Sequence, residues 1–331
     1  MGALPDAESR RGILNPRAGD ARFTLSRQEP AADLAGLVER HWIVRWDLRG
    51  KEPYAQETLP YPCVNLVIGT HRPGVHGVGT RRFVAMLEGE GWVVGTKFRP
   101  GGFRPFFGRP MTEFTDRALA LGDVFGGEGA RLEREVHEAS DDPARIAILE
   151  AFLRARRPAP DADAVLAARI VDLAQAEPAI ARVGDLAQRA GLPIRTMQRL
   201  FSSHVGVSPK WAIRRFRVQE AAERVAAGAG VEWSTLAQEL GYFDQAHFIR
   251  DFKAQIGKTP AEYAGLCARA AAGATPGELE RERAPAAPAV EEGSFKARGK
   301  APTPAATARP QAEGARCASP PPGRVEPRSA R

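Results

Sequence analysis

The sequence predicts an α+β protein in two parts, a β-rich domain followed by an all-α domain with two helix-turn-helix units. Three observations carry this expectation. Apolar residues alternate with a period of two between residues 21 and 100. Helical spacing replaces that alternation after about Leu119. Toward the C-terminus, a set of landmark residues recurs at a separation of about 50 residues.

The strands come first. Trp42, Val44, Trp46 and Leu48 alternate onto one face, the period of a half-buried strand. Val64-Asn65-Leu66-Val67-Ile68 reads as a second strand, and Gly91 to Phe98 as a third. Arg99-Pro100-Gly101-Gly102-Phe103 then forces a turn, because proline fixes φ and glycine permits positive φ. The pattern is that of an antiparallel, barrel-like domain.

Helices follow. Leu132 and Val136 share one helical face, and Ile146, Leu149, Phe152 and Leu153 share another; these seams are available to a dimer. Arg154 to Pro160 is a natural linker. The expected organisation is a flexible leader over 1–20, a β-rich domain ending in helices over 21–158, a helical domain over 163–266 and a disordered tail over 268–331. The tail assignment rests on ten prolines in 64 residues, without periodicity to build a core.

The duplication is the most informative feature. Leu186-Ala187-Gln188-Arg189-Ala190-Gly191 matches Leu236-Ala237-Gln238-Glu239-Leu240-Gly241. Ten residues after Gly191 comes Phe201, then Gly206 and Pro209; eleven after Gly241 comes Phe252, then Gly257 and Pro260. In each copy Leu-Ala-Gln supplies the packing face of one helix, and the glycine suits a left-handed cap at its end. A second helix follows. In the first copy Met197, Leu200 and Phe201 form its apolar seam, leaving Arg195, Gln198 and Arg199 on a polar face. In the second, Asp244 is a good N-cap, Phe248 and Phe252 pack inward, and Gln245, Ile249, Arg250 and Lys253 lie on or beside the opposite face.

Arginine can donate two hydrogen bonds to guanine, and glutamine can pair with adenine, so these faces suit the major groove of DNA. Charge placement agrees. The chain carries a net charge of +7, and no Asp or Glu occurs from Leu186 to Gln219, where Arg189, Arg195, Arg199, Lys210, Arg214, Arg215 and Arg217 all fall. An ordinary helical bundle with polar outer faces is the competing reading. The duplicated helix pair and the one-signed charge disfavour it.

Leu236 to Lys253, followed by Gly257-Lys258-Thr259-Pro260, resembles the signature of the AraC/XylS family of transcription regulators, and the resemblance extends over roughly Ala162–Leu266. It implies a sequence-specific DNA-binding regulator that inserts two recognition helices into successive major-groove segments. Carried over by position, Arg195, Gln198 and Arg199 on the first helix, and Gln245, Ala246 and Arg250 on the second, contact bases. Lys210, Arg214, Arg215 and Lys253 are expected at phosphates, and Pro209–Ala227 corresponds to the family's linking helix. Pro193 departs from the pattern, standing where a capping Ser or Thr is common. The N-terminal part resembles, less specifically, the cupin-like sensor domains of some members, without the paired-histidine metal motif; His41, His71 and His76 read as surface or structural histidines. The expected partners are double-stranded promoter or operator DNA, a small-molecule effector, RNA polymerase and a second copy of the chain, with no membrane. Activation is the expected mode, although no residue sets its direction, and the cytoplasm is the expected location.

Composition narrows the remaining classes. The chain has 331 residues, 43% hydrophobic and 26% charged, without an apolar run of membrane-spanning length or the apolar core of a secretory signal. Three cysteines, Cys63, Cys267 and Cys317, form no CxxC pair, so no disulfide framework, metal or cofactor is expected. An enzyme reading would have to rest on Cys63 in Tyr61-Pro62-Cys63-Val64-Asn65, a faint likeness to a DNA alkyl-transfer segment; an inert cysteine before a strand is the better reading. No GxSxG, HExxH or P-loop spacing is present, and no catalysis is expected. A DNA binder without sequence preference is disfavoured by the Arg/Gln faces.

Overall fold

The computed structural model describes residues 22–228 and 232–272. The expected leader, and the expected tail beyond Ala272, lie outside the described residues.

Among the described residues, eight strands form two antiparallel sheets: β1 (Thr24–Gln28), β2 (Val38–Asp47), β3 (Tyr54–Thr58), β4 (Asn65–Gly69), β5 (Gly74–His76), β6 (Phe83–Leu87), β7 (Glu90–Phe98) and β8 (Ala118–Leu119). Six pair in the order β1-β2-β7-β4-β5-β8, while β3 and β6 make a separate ribbon. The two sheets share one apolar cluster, in which Trp46, Val67 and Val93 meet Tyr54 and Leu87. β-Rich architecture is thus realised as a sheet faced by a ribbon. Across β2 and β7, Trp42 stands opposite Gly95 and Trp46 opposite Gly91. A β-carbon on Gly95 would come within 2.1 Å of the Trp42 ring, and one on Gly91 within 2.2 Å of Trp46. The two glycines are therefore the space into which the two indoles fold.

The Trp42–Leu48 alternation implied a half-buried strand, but β2 is covered on both faces. His41 and Ile43, on the opposite face, are buried beneath helices. After the short helix α1 (Arg104–Phe107) come α2 (Leu121–Phe125), α3 (Gly127–Glu138) and α4 (Asp142–Ala155). Leu132 and Val136 of α3, with Ile146, Leu149 and Leu153 of α4, pack against Ile43, Leu66, Ile68, Val94 and Phe98 of the sheet. Their seams are therefore spent on the domain's own core and are not a free dimer surface. Burial also shifts two titratable groups: it pushes the pKa of His41 down, against the opposing pull of the Glu150 carboxylate, and that of Cys63 up to about 11. A thiol so far from ionisation is a poor nucleophile.

Seven further helices follow among the described residues: α5 (Ala162–Ala176), α6 (Val183–Ala190), α7 (Ile194–Leu200), α8 (Pro209–Ala226), α9 (Trp233–Glu239), α10 (Gln245–Ile256) and α11 (Pro260–Ala271). The last helix continues beyond 268, where the tail was expected to begin. Two apolar clusters lie along α8. One holds Ala212, Ile213 and Phe216 against α5, α6 and α7; the other holds Val218, Ala221, Ala222 and Val225 against α9, α10 and α11.

The β-rich part packs directly on this helical part. Leu59 enters the second cluster, Tyr61 packs against the first, and the Pro60 carbonyl between them accepts a hydrogen bond from Arg215 Nε. The Tyr61 hydroxyl donates to Gln175 Oε1 at 2.7 Å, and Arg82 donates to the Ile256 carbonyl at 3.1 Å. Arg215 is 1% exposed and also donates to Gln219 Oε1 at 3.0 Å. Removing a charged donor from such a position leaves buried acceptors without their partner. Arg215→Met is expected to lower stability by about 1.5–3 kcal/mol. Urea unfolding should show a lower midpoint with an unchanged slope; an unchanged midpoint would mean that this contact contributes nothing.

Candidate nucleic-acid interface

Both helix-turn-helix turns are built alike. In the first, Gly191 takes a left-handed conformation at φ 67°, Leu192 N–H donates to Ala187 O at 3.0 Å and Gly191 N–H to Gln188 O at 3.1 Å. In the second, Gly241 has φ 69°, Tyr242 N–H donates to Ala237 O at 2.8 Å and Gly241 N–H to Gln238 O at 2.8 Å. Fifty residues apart, the same two bonds close the helix end, as a left-handed glycine cap requires. The next residue, Leu192 or Tyr242, then turns inward and anchors the loop.

The second helix of each unit begins differently. Pro193 offers no side-chain cap, so α7 starts only on its backbone carbonyl, which accepts from Met197 N–H at 3.1 Å. Asp244 caps α10 by accepting from His247 N–H at 2.6 Å. From there both helices follow their apolar seams. Met197, Leu200 and Phe201 are buried beneath α7, as are Phe248, Phe252 and Ile256 beneath α10. Arg195, Gln198 and Arg199 are exposed on α7, and Gln245, Ala246, Arg250 and Lys253 on α10. Lys210 is exposed in the first turn of α8, whose N-cap Ser208 accepts from Trp211 N–H at 3.2 Å.

The basic run from Leu186 to Gln219 divides into two kinds of charge. Arg189 is paired with Glu177, Arg214 with Asp251, Arg215 bonds to Pro60 O, and Arg217 donates to Ala181 O. Arg195, Arg199 and Lys210 form no ion pair among the described residues, and neither do Arg250 and Lys253. Arg215 corrects the sequence reading. Expected at phosphate, it is buried under the Leu59–Tyr61 loop and presents no surface. Arg214 remains half-exposed, with its guanidinium on a buried carboxylate.

That carboxylate, Asp251, is a residue the sequence reading passed over. It lies on the inner side of α10 and accepts from Arg214 Nε at 3.2 Å and from the Tyr242 hydroxyl at 3.0 Å. Arg217 sits over the Tyr242 ring at 5.3 Å while reaching back to Ala181, before the first unit. Tyr242 and Asp251 thereby tie α10 to α8, and Arg217 ties α8 to the entry of the first unit. Tyr242 is held in its neutral form, its pKa raised by burial and by the neighbouring Asp251 charge. Glu232 caps α9 through the amides of Ser234 and Thr235, and those bonds, with the two hydroxyls, hold its pKa down to about 2.

Comparison with known proteins matches the two parts separately. Residues 26–120 fit a family described as a domain of unknown function (DUF6597), and residues 186–265 fit one described as a helix-turn-helix domain. The HTH-type transcriptional activator RhaS of Pectobacterium carotovorum subsp. carotovorum is 32% identical over 77 residues, which are 23% of this chain and 27% of that protein. RhaS of Pectobacterium atrosepticum is 31% identical over the same shares. The chain thus spans about a quarter of the length of these curated relatives. The crystal structure of ToxT from Vibrio cholerae O395 aligns with 74% of this chain and 98% of its own, at 11% identity and a TM-score of 0.31.

The Tyr242–Asp251–Arg214 cluster should be worth more to stability than an exposed ion pair, because its acceptor is buried. Asp251→Ala is expected to cost about 2–4 kcal/mol, while Lys253→Ala, on the exposed side of the same helix, should stay within about 0.5 kcal/mol. Chemical denaturation of the two variants checks the contrast, and equal losses would contradict it.

Proposed function

We propose that this chain is a member of the AraC/XylS family through its duplicated helix-turn-helix domain, and a sequence-specific regulator of transcription acting on double-stranded DNA; the helix-turn-helix match over residues 186–265 and the likeness to the two RhaS activators support this reading. The observation that carries the proposal is the pair of outward faces, Arg195-Gln198-Arg199 on α7 and Gln245-Ala246-Arg250 on α10, each backed by a buried seam. An α-helix fits the major groove, where Arg and Gln distinguish guanine and adenine by paired hydrogen bonds. Because α8 is packed into both cores, the two helices are presented as one rigid reader of successive groove segments.

Phosphate contacts are assigned to Lys210 and Lys253, whose ammonium groups are exposed beside the reading helices, with Arg214 in a secondary place because it is committed to Asp251. Such contacts position the protein without reading sequence. Residues 21–158 form the regulatory domain and 163–266 the DNA-binding domain in this proposal. A cleft of about 370 Å³ lined by Glu39, Tyr61, Arg99, Asp172 and Gln175 lies where the two meet. It is of a size to take a small-molecule effector. Activation, contact with RNA polymerase, self-association and a cytoplasmic location belong to the same proposal. No helix among the described residues is long and apolar enough to cross a membrane. No catalytic role is assigned.

Base reading and phosphate binding separate experimentally. Arg195→Ala and Arg250→Ala should each cost about 1–3 kcal/mol and relax preference at different positions, about 10 bp apart. Lys210→Ala should weaken all sequences alike and reduce the salt slope by about 0.9. The measurement is a base-substitution scan of a selected site against each variant at two salt concentrations. Uniform weakening by both arginine changes, with preference intact, would overturn the assignment of the reading faces.

A further inference from the structure

Large apolar side chains are exposed at few places among the described residues, and one of them adjoins the second reading helix. Phe243 is 92% exposed, far more than any other large apolar side chain described. A single exposed hydrophobic residue is ordinary on a protein surface. The backbone around this one is not ordinary. Tyr242 before it is buried and bonded to Asp251, and Asp244 after it caps α10 through His247 N–H. Phe243 is therefore held outward between two anchored neighbours, directly before the N-terminal turn that presents Gln245 and Ala246. In the first unit Ile194, 44% exposed, follows its N-cap Pro193, whereas Phe243 precedes its N-cap Asp244, so the two units do not share this feature position for position.

The N-terminal residues of a recognition helix are those that approach base edges, and the thymine methyl is the apolar feature of the major groove. We propose that Phe243 is a specificity-determining residue that packs on a thymine methyl beside the bases read by Gln245 and Arg250. The inference rests on the DNA-binding reading above and adds to it a preference that hydrogen bonding cannot supply. Phenylalanine has no donor or acceptor side-chain atom, so its contacts in the groove are apolar, and the thymine methyl is the apolar group there that favours one base over the others. Ala246, also exposed, stands beside it as a small second apolar surface.

The test uses the full chain. A binding site is first selected from random duplex DNA, and each thymine in it is then replaced singly by deoxyuracil, which removes the methyl and leaves the pairing edge unchanged. Wild type should lose about fourfold in affinity at one thymine next to the positions sensitive to Arg250→Ala, as expected for one apolar methyl contact. Phe243→Ser should bind thymine and uracil there equally, Phe243→Leu should retain part of the difference, and Arg250→Ala should retain all of it. The side chain is exposed, so these substitutions leave the core intact. Identical deoxyuracil profiles for wild type and Phe243→Ser would overturn the assignment, as would a selected site with no thymine at that place. If no sequence emerges from selection at all, the DNA-binding reading itself fails and takes this inference with it.

Discussion

The burial of α8 is the constraint on which the rest of the molecule depends. An isolated connector between two helix-turn-helix units would leave them to move independently. Here eleven residues of an eighteen-residue helix are buried, some in the core of each unit. Ala212, Ile213 and Phe216 belong to the first, and Val218, Ala221, Ala222 and Val225 to the second. The helix spans about 27 Å at 1.5 Å per residue, somewhat less than one turn of DNA. Its two ends thereby fix where α7 and α10 stand. Rotating one unit relative to the other would expose apolar surface in at least one core, at roughly 25 cal/mol per Å².

Polar groups strengthen this arrangement and connect it to the β-rich part. Arg217 reaches from α8 to the Ala181 carbonyl while stacking on Tyr242, so a single side chain touches both units. Arg215 emerges beside it and is buried against Pro60, in a loop whose neighbours Leu59 and Tyr61 contact one cluster each. A displacement of that loop would be felt in both units at once, because it straddles the helix they share. This gives the β-rich part a physical connection to both units.

Much of the helical fold was legible in the sequence, because its determinants are local. Gly191 and Gly241 announce their own caps, Asp244 its own N-terminus, and Phe201 and Phe252 the repeat of an inward seam. The outward positions of Arg195, Gln198, Arg199, Gln245, Arg250 and Lys253 followed from periodicity, and that of Ala246 from the family resemblance; Ile249, expected on or beside the same face, is half-buried against the second apolar cluster. What could not be read was where distant partners lie. Arg214, Arg215 and Arg217 look equivalent in a basic run, yet Asp251, Pro60 and Ala181, all remote in sequence, take them out of solvent to different degrees. Asp251 carried no signal either, since its neighbours are the expected contact residues and only the fold turns it inward. In the β-rich part, Trp42 and Trp46 were rightly read as one strand face. The burial of the opposite face needed helices α3 and α4, whose apolar seams could equally have served a dimer.

In the proposed function, α7 and α10 read DNA as one rigid body set by α8. The direct test is a selected site into which about 5 bp, half a helical turn, are inserted between the positions read by the two helices. Rigid presentation predicts that affinity falls toward the nonspecific level, because only one helix can then meet its bases. Retention of the original affinity, with both Arg195 and Arg250 still reading their own positions, would show that the units move independently and would contradict the account.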